Sequence, residues 1–339
     1  MTGRRLRIPL EAGHGEPFTR LDWLLLAGVL LLAGLLRLPA LEAIPPGLWR
    51  DEAGYALAAQ DVQRGVFQVY WGDKEPLFPY VLAGVFTVLG PSVETLRGAA
   101  AVFGIGAAGL TFLLGRLILG RWSGLVAAVG LATSFWTLDL NRIGFRVNTM
   151  PFVVVLAFWL FWRAQTGGGR WNWLAAGVAV GLTPYTYLAA RMAPIVVLVY
   201  FLSRLVFDRR SIRAERAGWT LLAGGMAASA LPLLLFFALN PSYFVDRAGQ
   251  LSPFRTAGSP GEAALIAAAG VRDTIGMFFW RGDNEPRHNL PGRPVLDLAT
   301  AAMFVLGVER RSDPRARAIG TLPADLARGA PSAKRPCHR

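Results

Sequence analysis

Long uncharged runs govern what this chain can fold into. Trp23–Leu36, Val153–Trp162 and Leu221–Leu239 are apolar throughout or nearly so, and the last contains no charged residue. Runs of about 20 such residues match the ~30 Å hydrocarbon core of a bilayer when helical. Composition agrees, with 53% hydrophobic and only 17% charged residues, against roughly a quarter charged in soluble domains. The expectation is an all-α, polytopic transmembrane helical bundle embedded in membrane lipid.

Apolar segments lie at about 23–41, 76–89, 98–115, 122–138, 149–164, 171–190, 192–207, 217–239 and 295–308. Polar stretches at 42–75 and 240–294 separate them, with no internal repeat and no low-complexity linker. Arg4, Arg5, Arg7 and Arg20 precede the first run without a small-residue cleavage site, so it reads as a retained span. By the positive-inside rule these arginines face the cytoplasm, as does the basic loop Arg209–Arg216. The first span then places 42–75 outside; six segments lie between that stretch and Arg209–Arg216, and six crossings would put both on the same side. One segment therefore does not cross. Segment 76–89 is the choice, because it is about 21 Å long as a helix and carries Pro76 and Pro79.

With 76–89 lying at the outer interface, about eight spans result and the N-terminus is cytoplasmic. Arg116, Arg121, Arg163 and Arg170 fall inside. A first outer loop (42–97), Asn141–Asn148, the turn at Arg191 and a large outer loop (240–294) fall outside. Residues 1–308 then form one transmembrane domain in the inner membrane, its unusual polar residues facing the periplasm. Residues 309–339 form a basic, disordered tail. Positions 310–339 hold eight Arg or Lys and two Asp, about half of the chain's net +13. The remaining arginines mostly flank spans, and no basic stripe interleaved with aromatics points to nucleic acid. One cysteine, Cys337, and three scattered histidines at 14, 288 and 338 supply no disulfide framework and no Cys- or His-based metal site.

The chemistry-bearing stretch is Pro45-Pro46-Gly47-Leu48-Trp49-Arg50-Asp51-Glu52-Ala53-Gly54-Tyr55, just after the first span. Asp51 and Glu52 sit at the start of a helical stretch (52–63), where free N–H groups and the helix dipole favour carboxylates. Asp51 there reads either as an N-cap or as a general base toward an acceptor hydroxyl. Lys74, Arg142, Arg146 and Arg191 are the outer-face cations. Each is either an interfacial snorkelling residue or a ligand for a phosphate, which arginine's fork suits. Trp49, Tyr185 and Tyr187 lie at the same depth, as an aromatic belt or a surface for stacking a sugar. Asp283 and His288 in the large loop are weaker candidates for the acceptor side.

Three stretches in this order, Trp49-Arg50-Asp51-Glu52-Ala53-Gly54-Tyr55, Lys74-Glu75-Pro76-Leu77-Phe78-Pro79-Tyr80 and Asn141-Arg142-Ile143-Gly144-Phe145-Arg146, resemble the membrane-embedded C-type glycosyltransferases. These are relatives of protein O-mannosyltransferases and aminoarabinose transferases. Arg281-Gly282-Asp283 with His288-Asn289-Leu290-Pro291-Gly292-Arg293-Pro294 resembles a bacterial branch of them. The resemblance implies sugar transfer from a polyprenyl-phosphate donor to a hydroxyl on a glycan, lipid or protein. It further implies inversion at the anomeric carbon, with Asp51 as catalytic base and Glu52 beside it. Since outer cations replace a paired-acid motif, no cofactor and no divalent metal are expected. Two departures stand out. Glu75-Pro76 occupies the place where relatives often have Lys-Pro, and hydrophobic character ends after Gly307, as in a truncated or frameshifted member. A transporter or flippase, or an inactive family member, are the alternatives. Against transport, mid-span positions are nearly free of the ionisable residues that pumps use.

Overall fold

Capping residues set where the helices begin. Thr19 accepts from Asp22 N while Asp22 returns to Thr19 N, and Ser92 and Thr95 repeat that exchange at the start of a longer helix. In the computed structural model, residues 17–312 are described, apart from 72–73, 251, 253–256 and 287–288. They form α1 (Arg20–Arg37), α2 (Arg50–Gln63), α3 (Leu77–Leu89), α4 (Val93–Leu119), α5 (Arg121–Thr133) and α6 (Phe135–Asn141). Then come α7 (Thr149–Gln165), α8 (Arg170–Leu182), α9 (Met192–Phe207), α10 (Arg209–Ala214) and α11 (Arg216–Leu239). Last are α12 (Pro241–Gln250), α13 (Pro260–Phe279) and α14 (Leu298–Ser312). Among the described residues there is no strand, only an isolated bridge between Trp71 and Lys74.

Two helical groups share α4 and α7 as their seam. Helices α1, α4 and α5 pack through Val29, Ala33, Ala108, Phe112, Ala128 and Ala132. Glycine permits the closest approach: a Cβ on Gly115 would lie 2.7 Å from the Gly124 backbone, so α4 and α5 meet main chain to main chain. Helices α7, α8 and α11 form the second group around Ala157, Phe161, Trp173, Ala176, Val180 and Trp219. A third cluster, of Tyr55, Phe78, Leu82, Phe86, Leu96, Ile143 and Phe145, seats α2 and α3 on the N-terminal end of α4. Outward, α9 exposes Ile195, Val199, Leu202, Val206 and Phe207, the pattern of a helix facing hydrocarbon rather than a core.

Among the described residues, four helical stretches are long and apolar enough to cross a bilayer: Val93–Leu119, Arg146–Gln165, Leu188–Phe207 and Arg216–Leu239. A fifth results if α5 and α6 count as one span bent by 57°. The expected eight are not all matched by length and composition. Helix α1 carries Arg20, Asp22 and Arg37 in 18 residues, and α8 is only 13 residues long. The segment expected to lie flat, 76–89, is the short helix α3. Two expectations differ from what forms. Segment 122–138 breaks at Ser134, where the buried Arg37 takes the carbonyls of Leu131 and Ala132 and the hydroxyl of Thr137. The stretch 240–294 is not mainly loop, since α12 and α13 occupy much of it. Helix α14 runs to Ser312, and the remainder of the tail lies outside the described residues.

Both ends of α4 are marked by ion clusters. At one end Arg116 and Arg121 hold the fully buried Asp22, with Nε–Oδ1 distances of 2.9 and 2.6 Å. At the other end Arg97 holds the fully buried Glu52 at 2.9 Å. Nineteen residues of helix separate Arg97 from Arg116, about 28 Å at 1.5 Å per residue, close to the hydrocarbon thickness.

Candidate active site

The start of α2 sends two neighbouring carboxylates to opposite fates. Successive helical residues point about 100° apart, so Asp51 and Glu52 face different surroundings. Glu52 is fully buried. Its Oε1 accepts from Arg97 Nε (2.9 Å) and Gly144 N (2.8 Å). Its Oε2 accepts from Arg97 Nη2 (3.1 Å) and from Trp49 N (3.0 Å). Arg97 spends its remaining donors on the carbonyls of Leu41, Pro45 and Gly47. This pair ties the stretch between α1 and α2, α4 and the Ile143–Phe145 turn together, and leaves every Glu52 oxygen engaged within the protein.

Asp51, by contrast, keeps 32% of its side chain exposed and lies 3.4 Å from Lys74 Nζ, itself 27% exposed. An ion pair of that exposure is a weak restraint, so either partner can turn to a ligand. Lys74 is held by Trp71, with which it exchanges backbone bonds of 3.0 and 2.8 Å. Glycine matters at one point here: a Cβ on Gly54 would come within 3.3 Å of Lys74 Nζ.

One helical turn on from Asp51, Tyr55 lies against both Lys74 and Arg146. Lys74 Nζ is 4.9 Å and the Arg146 guanidinium 5.9 Å from its ring centre. Tyr55 is 4% exposed and packs edge-on against Phe78 and Phe145. Burial pushes its phenol up to about 12, against the opposing pull of Arg146. The hydroxyl therefore stays protonated at neutral pH and accepts from Arg146 Nη1 at 2.6 Å. Arg146 also donates Nε to Glu75 Oε2 at 2.7 Å and stacks 5.3 Å from the Tyr187 ring. Glu75 is 1% exposed, and its Oε1 is enclosed without a protein partner.

Asp51, Lys74, Arg146 and Tyr187 are thus linked through Tyr55 and Glu75. The other candidates lie elsewhere. Arg142 donates to the carbonyls of Leu36, Arg37, Pro39, Ala40 and Ile44, closing the C-terminal end of α1. Arg191 reaches Tyr70 Oη at 3.3 Å and lies over the rings of Phe237 and Phe244. Tyr185 inserts its hydroxyl into α11 beside Pro232, donating to Ser229 O (2.9 Å) and accepting from Leu233 N (3.1 Å). Trp49 precedes α2 and packs on the α2–α3–α4 cluster. Asp283 belongs to a turn closed by Asn289, where it accepts from Glu285 N at 3.0 Å; His288 lies outside the described residues. Arg97, Tyr55 and Glu75 carried no role in the sequence reading. The available signals were Tyr55 at i+4 from Asp51, and an arginine followed by the small residues Gly98–Ala101.

Residues 73–236 match the family model described as dolichyl-phosphate-mannose-protein mannosyltransferase. That segment contains Lys74, Glu75, Arg97 and Arg146 but begins after Asp51 and Glu52. No curated protein sequence matches the chain. Among solved structures, the S. cerevisiae protein O-mannosyltransferase Pmt1–Pmt2 complex bound to the sugar donor is similar at TM-score 0.55 and 20% identity, covering 67% of this chain and 35% of that one. ArnT from Cupriavidus metallidurans in the apo state is similar at TM-score 0.50 and 19% identity, covering 65% of this chain and 42% of that one. The chain thus spans about a third to two fifths of the length of the solved structures it matches.

Proposed function

We propose that the chain is a C-type membrane glycosyltransferase, on the family match over residues 73–236 and the fold shared with Pmt1–Pmt2 and ArnT, and that it transfers a sugar from a polyprenyl-phosphate donor to a hydroxyl acceptor. The reaction takes place on the outer face of the cytoplasmic membrane, with inversion at the anomeric carbon. One observation carries the reading. Of the two carboxylates at the start of α2, only Asp51 is accessible; it stands 3.4 Å from Lys74, and Lys74 and Arg146 both lie against the ring of Tyr55.

Asp51 accepts the proton of the acceptor hydroxyl as its oxygen attacks the anomeric carbon from the side opposite the phosphate. The C–O bond to the phosphate breaks, and its electron pair stays on the lipid phosphate. Lys74 and Arg146 stand where that charge develops, the arrangement that lowers such a barrier most. Glu52 acts as a positioning residue, fixing through Arg97 and Gly144 the backbone that presents Asp51. Glu75 and Tyr55 hold the Arg146 guanidinium in place. Arg142 and Tyr185 serve the scaffold.

The threading proposed with this has eight crossings, α3 lying at the outer interface and the N-terminus inside. Support comes from the two ion clusters one membrane thickness apart on α4. Single cysteines at the exposed Ser92, Ser242 and Arg210 test it in intact cells. Ser92 and Ser242 should react with an impermeant maleimide, and Arg210 only after permeabilisation. The reverse pattern would turn the active site inward. For the chemistry, membranes holding the full chain are supplied with a panel of labelled polyprenyl-phosphate hexoses and pentoses. Transfer of label from at least one donor is expected; failure to bind or to use any of them would overturn the reading.

A further inference from the structure

At the end of the bundle opposite Asp51, a cleft of about 320 Å³ opens between the α7–α8 turn and the α10–α11 corner. Its walls are Ala164, Gln165, Arg170, Glu215, Ala217 and Leu221, with Trp173 behind them. That volume is at the lower end of small-molecule pockets. Arg170 stands exposed at the mouth, over the ring of the exposed Trp171. An outward tryptophan beside a basic loop is what places a surface at headgroup depth. Nothing in the transfer chemistry uses this cleft.

Its polar groups are incompletely matched by protein. Glu215 Oε1 accepts from the Ser211 hydroxyl at 3.1 Å and lies 3.9 Å from Arg204 Nη2, whereas Oε2 is enclosed without a protein partner. Gln165 Oε1 accepts from Arg204 Nη1 at 3.5 Å, and its amide N–H group is likewise enclosed and unmatched. Leaving such groups unbonded is unfavourable, so a ligand that supplies both partners is favoured. The unmatched set is one acceptor of negative charge and one amide donor, with a guanidinium at the mouth and an apolar back wall.

We propose that this cleft binds the headgroup of an aminophospholipid of the phosphatidylethanolamine type from the leaflet on the basic face. The ammonium donates to Glu215, which turns its carboxylate toward the cleft. The phosphate accepts from Gln165 and Arg170. The first acyl carbons lie against Trp173 and Leu221. A choline headgroup has no N–H to give Glu215, and a glycerol headgroup brings no cation to it. Charge complementarity therefore selects the primary amine.

Native mass spectrometry of the full chain in detergent tests this, with phosphatidylethanolamine, phosphatidylcholine and phosphatidylglycerol added at equal concentration. Phosphatidylethanolamine should bind about tenfold more tightly than the other two, the weight of one charge-assisted bond. Glu215→Gln should erase that preference without changing phosphatidylglycerol binding. Ala217→Phe, at an exposed position of the wall, should weaken phosphatidylethanolamine by blocking the cleft. Arg170→Gln, wholly at the surface, serves if either of those variants melts early. Equal binding of the three lipids, or a preference that survives Glu215→Gln, would overturn the proposal. Since the readout is lipid binding, it stands or falls apart from the sugar-transfer reading.

Discussion

The two ends of α4 each bury a carboxylate, yet among the described residues only one end has a second carboxylate left within reach of solvent. At the basic end Asp22 is enclosed by Arg116 and Arg121 and capped onto Thr19, with its oxygens spent on helix ends. At the other end Glu52 is enclosed in the same manner by Arg97, Gly144 and Trp49. Beside it Asp51 remains a third exposed, next to Lys74 and within the Tyr55–Arg146 neighbourhood. Burial with full bonding produces a clasp. The same arrangement with an exposed neighbour produces a clasp that presents a reactive group.

Breaking the buried pair should have the largest effect. Glu52→Gln strands the fully buried Arg97 guanidinium, and removing one partner of a buried pair costs about 3–5 kcal/mol. Thermal unfolding in detergent should register the loss. The fraction that folds should keep more turnover per molecule than Asp51→Asn. Asp22→Asn should cost less, about 2–3 kcal/mol of stability, because Arg116 and Arg121 keep partial access to solvent. It should leave donor affinity unchanged; a matched fall in donor affinity would erase the difference between the two ends.

How much of this was legible depended on the range of the interactions. The apolar runs, the short helix after Pro76 and the start of α2 are local patterns, and they form where the sequence puts them. The grouping of Asp51, Lys74 and Arg146 was readable from motif order. Arg97 was not, since an arginine near the end of an apolar run reads as an interfacial residue until Glu52, 45 positions earlier, is placed beside it. The break at Ser134 was hidden for the same reason: Arg37, almost 100 residues upstream, takes the carbonyls that the bend sets free. Helix α13 escaped notice because Arg272 and Asp273 interrupt an otherwise apolar stretch between polar flanks.

Two smaller effects sharpen the division among the cations near α2. Arg146→Gln should weaken use of the donor by about 2–3 kcal/mol, the range for a charge-assisted contact to the departing phosphate, with Lys74→Met acting in the same direction. Steady-state kinetics with a labelled donor would detect either. Arg142→Ala should instead lower stability by about 1 kcal/mol through the freed carbonyls at the end of α1, leaving donor use intact. Donor use that fell with Arg142 and not with Arg146 would move the phosphate to the other side of the Ile143–Phe145 turn.

The central claim is that Asp51 performs the proton transfer while Glu52 performs the positioning, and Asp51→Asn tests it most directly. The amide keeps the size of the side chain, and the exposed site leaves no buried charge stranded, so insertion and melting should match the parent within about 0.5 kcal/mol. Single-turnover transfer from a polyprenyl-phosphate sugar should nonetheless slow by roughly 10²–10⁴, the usual contribution of a general base, with donor binding retained. Near-parental transfer by Asp51→Asn would contradict the account, leaving the start of α2 as a clasp and nothing more.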